Sequence, residues 1–181
     1  TDLSDVVLMT LGALRGAEVD AAAATARVLG GSQWNDVLEA AAPHGLTALH
    51  GSSGDVGVVG YTLSGGMSFY ARTHGLAVNT VRAVEVVTAD GALVRATAED
   101  YADLFWALRG GSGAFGVVTA IEIDLLPYAD VHAGMLLWDA SHAAEVAHGG
   151  AEWTRAAPES GSTSLRVRHL PPLPVLPPFL S

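Results

Sequence analysis

The chain has 181 residues, half of them hydrophobic, with no cysteine, no lysine, nine arginines and 19 acidic side chains for a formal charge of −10. That length fits one ordinary domain or parts of two, with enough apolar content for a sizeable core. The acidic balance sets aside a phosphate-backbone binder, which shows a basic face, and the lack of cysteine removes a disulfide framework, a thiolate metal site and a thiol nucleophile. Thr1 does not open a charged segment followed by an apolar one, and no apolar run approaches the roughly 18 residues of a spanning helix. The expectation is a cytoplasmic protein whose partner is a small molecule, with no nucleic acid and no membrane. Thr1 in place of Met, and an open-ended proline run before Ser181, make both ends read as cut, so a fragment is expected.

In chain order, Val6, Val7, Leu8 and Met9 suggest a first strand. Residues 17–19 and 25–29 flank a turn over 20–24 and read as a hairpin, although alanine in that turn prefers helix. Gly30-Gly31 ends it, and Ser32 stands where an N-cap is wanted. Trp34, Val37, Leu38 and Ala41 then fall on one helical face, stopped by Pro43 and Gly45.

The stretch 51–71, GSSGDVGVVGYTLSGGMSFYA, packs six glycines among small residues with no cation before Arg72. Glycine lets backbone approach another body but loses much entropy on ordering, so this density suggests a purpose. Consecutive backbone N–H groups can make a concave anion site without Lys or Arg. A glycine-rich surface loop is the plainer alternative. The end of the stretch, 67–72, suggests a short helix.

A β-branched strand over 80–88 leads to Asp90-Gly91, which predicts a type I′ hairpin, and to a partner strand at 93–96. A helix beginning at Thr97 or Glu99 is expected to bury Tyr101, Leu104, Phe105 and Leu108. A second glycine cluster, 109–116, joins it to a strand over 117–126 in which Ile121 and Ile123 alternate with Glu122 and Asp124. After Pro127, a strand over 131–138, an alanine-rich helix over 140–156, a strand over 165–169 and a polyproline-like tail over 171–178 are expected.

Gly111-x-Gly113-x-x-Gly116 matches the dinucleotide fingerprint in letters, but helix precedes it and strand follows. A Rossmann turn needs the reverse. Without lysine there is no Walker A loop. The histidines lack metal-ligand spacing, so no metal is expected. No Gly-x-Ser-x-Gly elbow occurs, which argues against a serine hydrolase. Trp34, Trp106, Trp138 and Trp153 are read as packing residues.

The order of these pieces is more specific than any one of them. AAAPHGL at 40–46, GSSGDVGVVGYTLSGGMSFYART at 51–73, HGLAVNTVRAVEVVTADG at 74–91 and DLFWALRGGSGAFGVVT at 103–119 resemble the FAD-linked oxidase family of p-cresol methylhydroxylase (PCMH), vanillyl-alcohol oxidase and berberine bridge enzyme-like oxidases. Abundant alanine, with arginine as the strong base, resembles its bacterial, actinobacterial branch. The resemblance implies an α+β fold: residues 1–127 as the C-terminal part of a PCMH-type FAD-binding domain incomplete at its N-terminus, and 128–181 as the truncated start of an α+β substrate domain. It places Gly51, Ser52, Ser53, Asp55, Val56, Gly57, Gly60, Gly65 and Gly66 along the FAD, and Gly116, Val117 and Val118 near its adenine end.

Departures from that family are specific. Ser53 stands where doubly attached members carry cysteine, and the flavin-linking histidine of many members would lie before Thr1. Ser64 replaces a glycine ahead of Gly65-Gly66, harmless only if its φ is negative. Ser112 and Ala114 replace Gly and Asn in the second cluster. No catalytic residue is assigned. The implied function is an FAD-dependent oxidoreductase taking hydride from an alcohol, sugar or C–H substrate, with O2 as acceptor. The alternatives are a non-catalytic FAD-binding remnant and an NADPH-dependent reductase of the same fold.

Overall fold

A computed structural model describes residue 4 and residues 6–168, which divide into two units, Thr1–His132 and Ala133–Ser181. The proline-rich tail at 171–178 and His169 lie outside the described residues.

The first unit is α+β. In chain order it holds β1 (Ala17–Asp20), β2 (Thr25–Leu29), α1 (Trp34–Ala41), α2 (Val58–Leu63), α3 (Ala71–His74), β3 (Val81–Val87), β4 (Leu93–Ala96), α4 (Ala102–Gly111) and β5 (Val117–Asp124). The strands make one antiparallel sheet in the order β1-β2-β5-β3-β4. Two local hairpins, β1–β2 and β3–β4, are thus joined by β5, which pairs with β2 on one side and β3 on the other.

Period-two alternation decides which face is buried. Ala26 and Val28 of β2, Val84 and Val86 of β3, and Val118, Ile121 and Ile123 of β5 enter one core with Trp34 and Val37 of α1, Val58 and Leu63 of α2, and Phe105 and Leu108 of α4. Each large apolar side chain so buried contributes roughly 1.5–3 kcal/mol relative to exposure. The charged residues of the strands form cross-strand pairs: Arg27 donates to Glu85 at 2.8 and 2.7 Å, and Arg95 to Glu122 at 2.8 Å. The Arg27 guanidinium holds the Glu85 carboxyl below its usual range. Such half-exposed pairs add little stability, roughly 0–1 kcal/mol each.

Several expectations are corrected. Val6 to Met9 form no strand and are exposed, because no described strand lies beside them to complete a ladder. The cap of α1 is Gln33, one residue after Ser32, and the Asp36 carboxylate accepts its backbone N–H at 2.8 Å. Ser32 is instead buried, its Oγ donating to the Gly16 carbonyl at 2.9 Å. In the β1–β2 turn the Asp20 carboxylate accepts the N–H groups of Ala22 and Ala23, both at 3.0 Å, which outweighs alanine's helix preference. The Asp90-Gly91 hairpin forms, but only Gly91 has positive φ, at 84°. Its Gly91 N–H bonds the Thr88 carbonyl, a type I turn with a glycine bulge and not a type I′ turn. The helix expected at 67–72 begins at Ala71. Tyr101 precedes α4 with φ of 54° and is exposed. Of the four tryptophans only Trp34 is buried, whereas Trp106 is 76% exposed and Trp138 and Trp153 are also exposed.

The second unit holds α5 (Ala143–Ala156), which runs through Gly149-Gly150 and follows a 3-10 turn, Ala140–His142. Asp139 accepts the Ser141 N–H at 2.9 Å at that entry. The strand expected at 131–138 is absent, as is that at 165–168, since neither stretch has a ladder partner among the described residues. No helix among the described residues is long and apolar enough to cross a membrane.

Candidate functional site

The first glycine loop is pinned to the start of α1. The N–H groups of Trp34 and Asn35, unpaired within their own helix, donate to the carbonyls of Val56 at 3.1 Å and Gly54 at 2.8 Å, and the Val58 N–H donates to the Ser32 carbonyl at 3.0 Å. A Cβ at Gly54 would fall 1.8 Å from Oδ1 of the exposed Asn35 side chain, which would have to turn aside. With loop carbonyls turned to α1, the N–H groups of Gly51, Ser52, Ser53, Gly54 and Asp55 have no protein acceptor among the described residues. Ser52, Ser53, Asp55, Val56 and Gly57 are exposed, and the Ser53 hydroxyl donates to the Asp55 carboxylate.

Beyond the loop, α2 presents a bare face. A Cβ at Gly57 or at Gly60 would meet nothing within 4 Å among the other described elements. A mid-helix glycine costs about 1 kcal/mol relative to alanine, and no internal contact requires one at Gly60. One turn on, four residues from Gly60 and hence on the same face, Ser64 Oγ lies 2.7 Å from Ser112 Oγ across 48 residues of sequence. The two glycine clusters therefore touch. Gly113, just past Ser112, also opens onto empty space.

The other glycines serve the fold. Gly66 has φ of 70°, and a Cβ there would come within 2.7 Å of Ala77 Cβ and of the Tyr61 ring. Gly65 has φ of 109°, and the carbonyls of Gly66 and Gly65 accept the N–H groups of Ala77 and Val78 at 2.8 and 3.0 Å. Gly51 packs on Tyr61, its Cβ position 3.1 Å from that ring. Gly116 has φ of 151° and lies against the Val87 carbonyl. Val117 and Val118 pair with Val87 and Val86 in the sheet, and the Val118 side chain is buried in the core. Sequence reasoning grouped all of these glycines together; their surroundings separate them into glycines that face open space and glycines that let backbone cross backbone.

Ser64 has φ of −91°, so its Cβ is unstrained. Ser112 has φ of 51° with ψ of −132°, a region that disfavours any Cβ. Comparing Ser112→Gly with Ser112→Ala by chemical denaturation separates the two effects, because both lose the hydroxyl bond and only alanine keeps the strain. The glycine variant is expected to be more stable than the alanine variant by about 1 kcal/mol. Equal stabilities would show that the backbone at 112 is relaxed.

Residues that sequence reasoning missed surround this loop. Asn35 sits under Gly54, and Tyr61 lies beneath Gly51 and Gly66 while standing edge-on to Trp34 at 5.5 Å. The signal for Tyr61 was its place on α2 between two glycine pairs. Among the described residues no group of three His, Asp or Glu side chains is arranged to hold a metal.

The family described as FAD binding domain matches residues 1–97. The chain is 33% identical over 167 residues to the FAD-dependent monooxygenase tpcD of Cochliobolus heterostrophus, covering 91% of this chain and 32% of that protein. It is 34% identical over 134 residues to (R)-6-hydroxynicotine oxidase of Paenarthrobacter nicotinovorans, covering 73% and 29%. The crystal structure of 6-hydroxy-D-nicotine oxidase from Arthrobacter nicotinovorans is similar with a TM-score of 0.60 and 36% identity, over 62% of this chain and 25% of that one. Xylooligosaccharide oxidase from Myceliophthora thermophila gives a TM-score of 0.62 at 32% identity, over 65% and 25%. The chain spans about a third or less of the length of these curated relatives.

Proposed function

This chain belongs to the FAD binding domain family, and from that premise we propose that the protein containing it is an oxidase-like, FAD-dependent oxidoreductase acting on a small alcohol, sugar or C–H substrate. Bound FAD would supply the redox chemistry, accepting hydride from the substrate and passing electrons to O2, while the protein binds and orients.

The observation that carries the reading is the join of the two glycine clusters through Ser64 and Ser112 at the end of the bare α2 face. A flat dinucleotide suits a surface where Gly57, Gly60 and Gly113 leave space that side chains would fill. Its diphosphate suits a row of unpaired N–H groups from Gly51 to Asp55, which needs no lysine in an acidic chain. Ser52, Ser53, Asp55 and Val56 line the open rim of that row. Gly65, Gly66 and Gly116 act indirectly, by holding the chain crossings on which the groove depends, and Val117 and Val118 anchor the second cluster to the sheet. We assign residues 1–127 to the FAD-binding module and 128–181 to the start of a substrate domain, a division supported by the break between units after His132.

The test uses the full-length protein, purified and examined for flavin absorbance and then mixed anaerobically with primary alcohols and oligosaccharides. Bleaching by one of these and recovery in air is expected. A folded, colourless product overturns the reading, and bleaching by NADPH alone reassigns the protein as a reductase.

A further inference from the structure

Three of the chain's four tyrosines, one tryptophan and two histidines form an unbroken line of rings in the first unit. Tyr61 stands edge-on to Trp34 at 5.5 Å, Trp34 lies 6.4 Å from His50, and His50 meets Tyr70 edge-on at 5.8 Å. Tyr70 stacks on Tyr128 at 5.8 Å with planes 18° apart. The Tyr128 hydroxyl then lies 2.8 Å from His74 Nε2, and His74 also meets the Tyr128 ring edge-on.

The two ends differ chemically. At the inner end Tyr61 lies under Gly51 and Gly66, its hydroxyl is buried with no hydrogen-bond partner among the described residues, and burial pushes its phenol pKa up. Trp34 Nε1 is likewise buried and unpartnered, and its side chain is 1% exposed. At the outer end Tyr128 is exposed and has an imidazole nitrogen beside its hydroxyl. A phenol that loses an electron becomes a strong acid, so the oxidised state settles on the tyrosine whose proton has a base to go to. Packing alone requires neither the partnerless inner hydroxyl nor the base at the outer one.

We propose that this line of rings is a relay for oxidising equivalents, refilling from Tyr128 an electron lost beneath the first glycine loop. A one-electron oxidant of the oxygen-radical or photoexcited-flavin class removes one electron from Trp34 and is itself reduced by one. Trp34 regains an electron from Tyr128 through the intervening His50 and stacked Tyr70 rings, with Tyr70 keeping its proton and electron count throughout. As Tyr128 gives up its electron, its phenolic proton crosses to His74 Nε2, leaving a neutral tyrosyl beside an imidazolium. An external thiol or ascorbate returns a hydrogen atom to the tyrosyl, and the imidazolium releases its proton to water. The supply of oxidant at the loop rests on the flavin reading above; the relay itself rests on the rings.

The test illuminates the full-length protein with blue light, which makes a bound flavin a one-electron oxidant. Oxidised side chains are mapped by peptide mass spectrometry, beside a frozen-solution electron-spin spectrum. Wild type is expected to give a tyrosyl signal, modification at Tyr128 and an intact Trp34. Tyr128→Phe keeps the ring stack, and His74→Gln removes the base; each is expected to abolish the signal and raise modification of Trp34 several-fold. The exposed Trp106 serves as an equal-dose reference in all three. Equal modification of Trp34 in wild type and both variants overturns the relay. A protein without flavin fails the cofactor reading alone, and the same mapping with photogenerated ruthenium(III) tris-bipyridine then decides the relay by the same two outcomes.

Discussion

Gly116→Ala will lower the stability of the full-length protein by about 3 kcal/mol, the sum expected when a residue is forced into a glycine-only backbone region and overpacks a fixed neighbour. Gly116 has φ of 151°, and its added Cβ would fall 2.4 Å from the Val87 carbonyl oxygen and 2.7 Å from Val86 Cγ2. Val87 cannot step aside, because it is paired with Leu93 of β4 on one side and Val117 of β5 on the other. Relief must come from Gly116 itself, which would pull the start of β5 from β3 and drag the second glycine cluster with it. The control is Gly113→Ala, three residues earlier, where the new methyl meets nothing within 4 Å. Its stability is expected to stay within about 0.5 kcal/mol of wild type. Chemical denaturation of both variants checks this. A loss below about 1 kcal/mol at Gly116 would mean that the crossing of the second cluster over β3 is looser than described.

Local patterns carried the fold in the sequence wherever period and turn chemistry act over a few residues. The buried stripe of α1, the β1–β2 and β3–β4 hairpins and the alternation of β5 are of this kind. Failures came where a distant neighbour decides. Val6 to Met9 are apolar enough for a strand, but a strand exists only with a partner. Trp106 is as apolar as Trp34, yet it falls off the buried face that Leu104, Phe105 and Leu108 define. The turn at Asp90-Gly91 was misjudged for a subtler reason, since the dipeptide is compatible with two hairpin loops that differ by one residue in length.

The groove was half legible. Glycine density marked both clusters, and the family resemblance ordered them along one cofactor. Which glycines open onto free space could not be read, because Gly60 and Gly66 look alike in a sequence and differ in backbone conformation and in what a Cβ would strike. Ser64 and Ser112 were singled out as departures from a glycine pattern, one at a time. Their meeting at 2.7 Å is a tertiary fact spanning 48 residues, invisible to any local pattern. That meeting reverses their meaning: two hydroxyls added together supply a bond between the loops that two glycines lack.

A bulky side chain at position 60 separates the ligand reading from a purely structural one, because the two predict opposite signs. In Gly60→Leu the new side chain starts from the middle of α2 at a Cβ that has no atom of the other described elements within 4 Å. If the bare face serves only the fold, leucine should be neutral or better, since it is among the strongest helix formers and glycine among the weakest. Stability of the flavin-free protein is expected to rise by roughly 0.5–1 kcal/mol. If FAD lies along that face, the same side chain occupies its place, and affinity for FAD is expected to fall at least about 100-fold, or roughly 2.8 kcal/mol. Flavin content of the purified variant and a fluorescence titration of the stripped protein measure the second effect, and denaturation of the stripped protein measures the first. A stabilised protein that has lost its flavin fits only a groove kept empty for a ligand. Retention of full affinity would move the cofactor off α2, and loss of both stability and flavin would show that the space above Gly60 is filled by the protein itself.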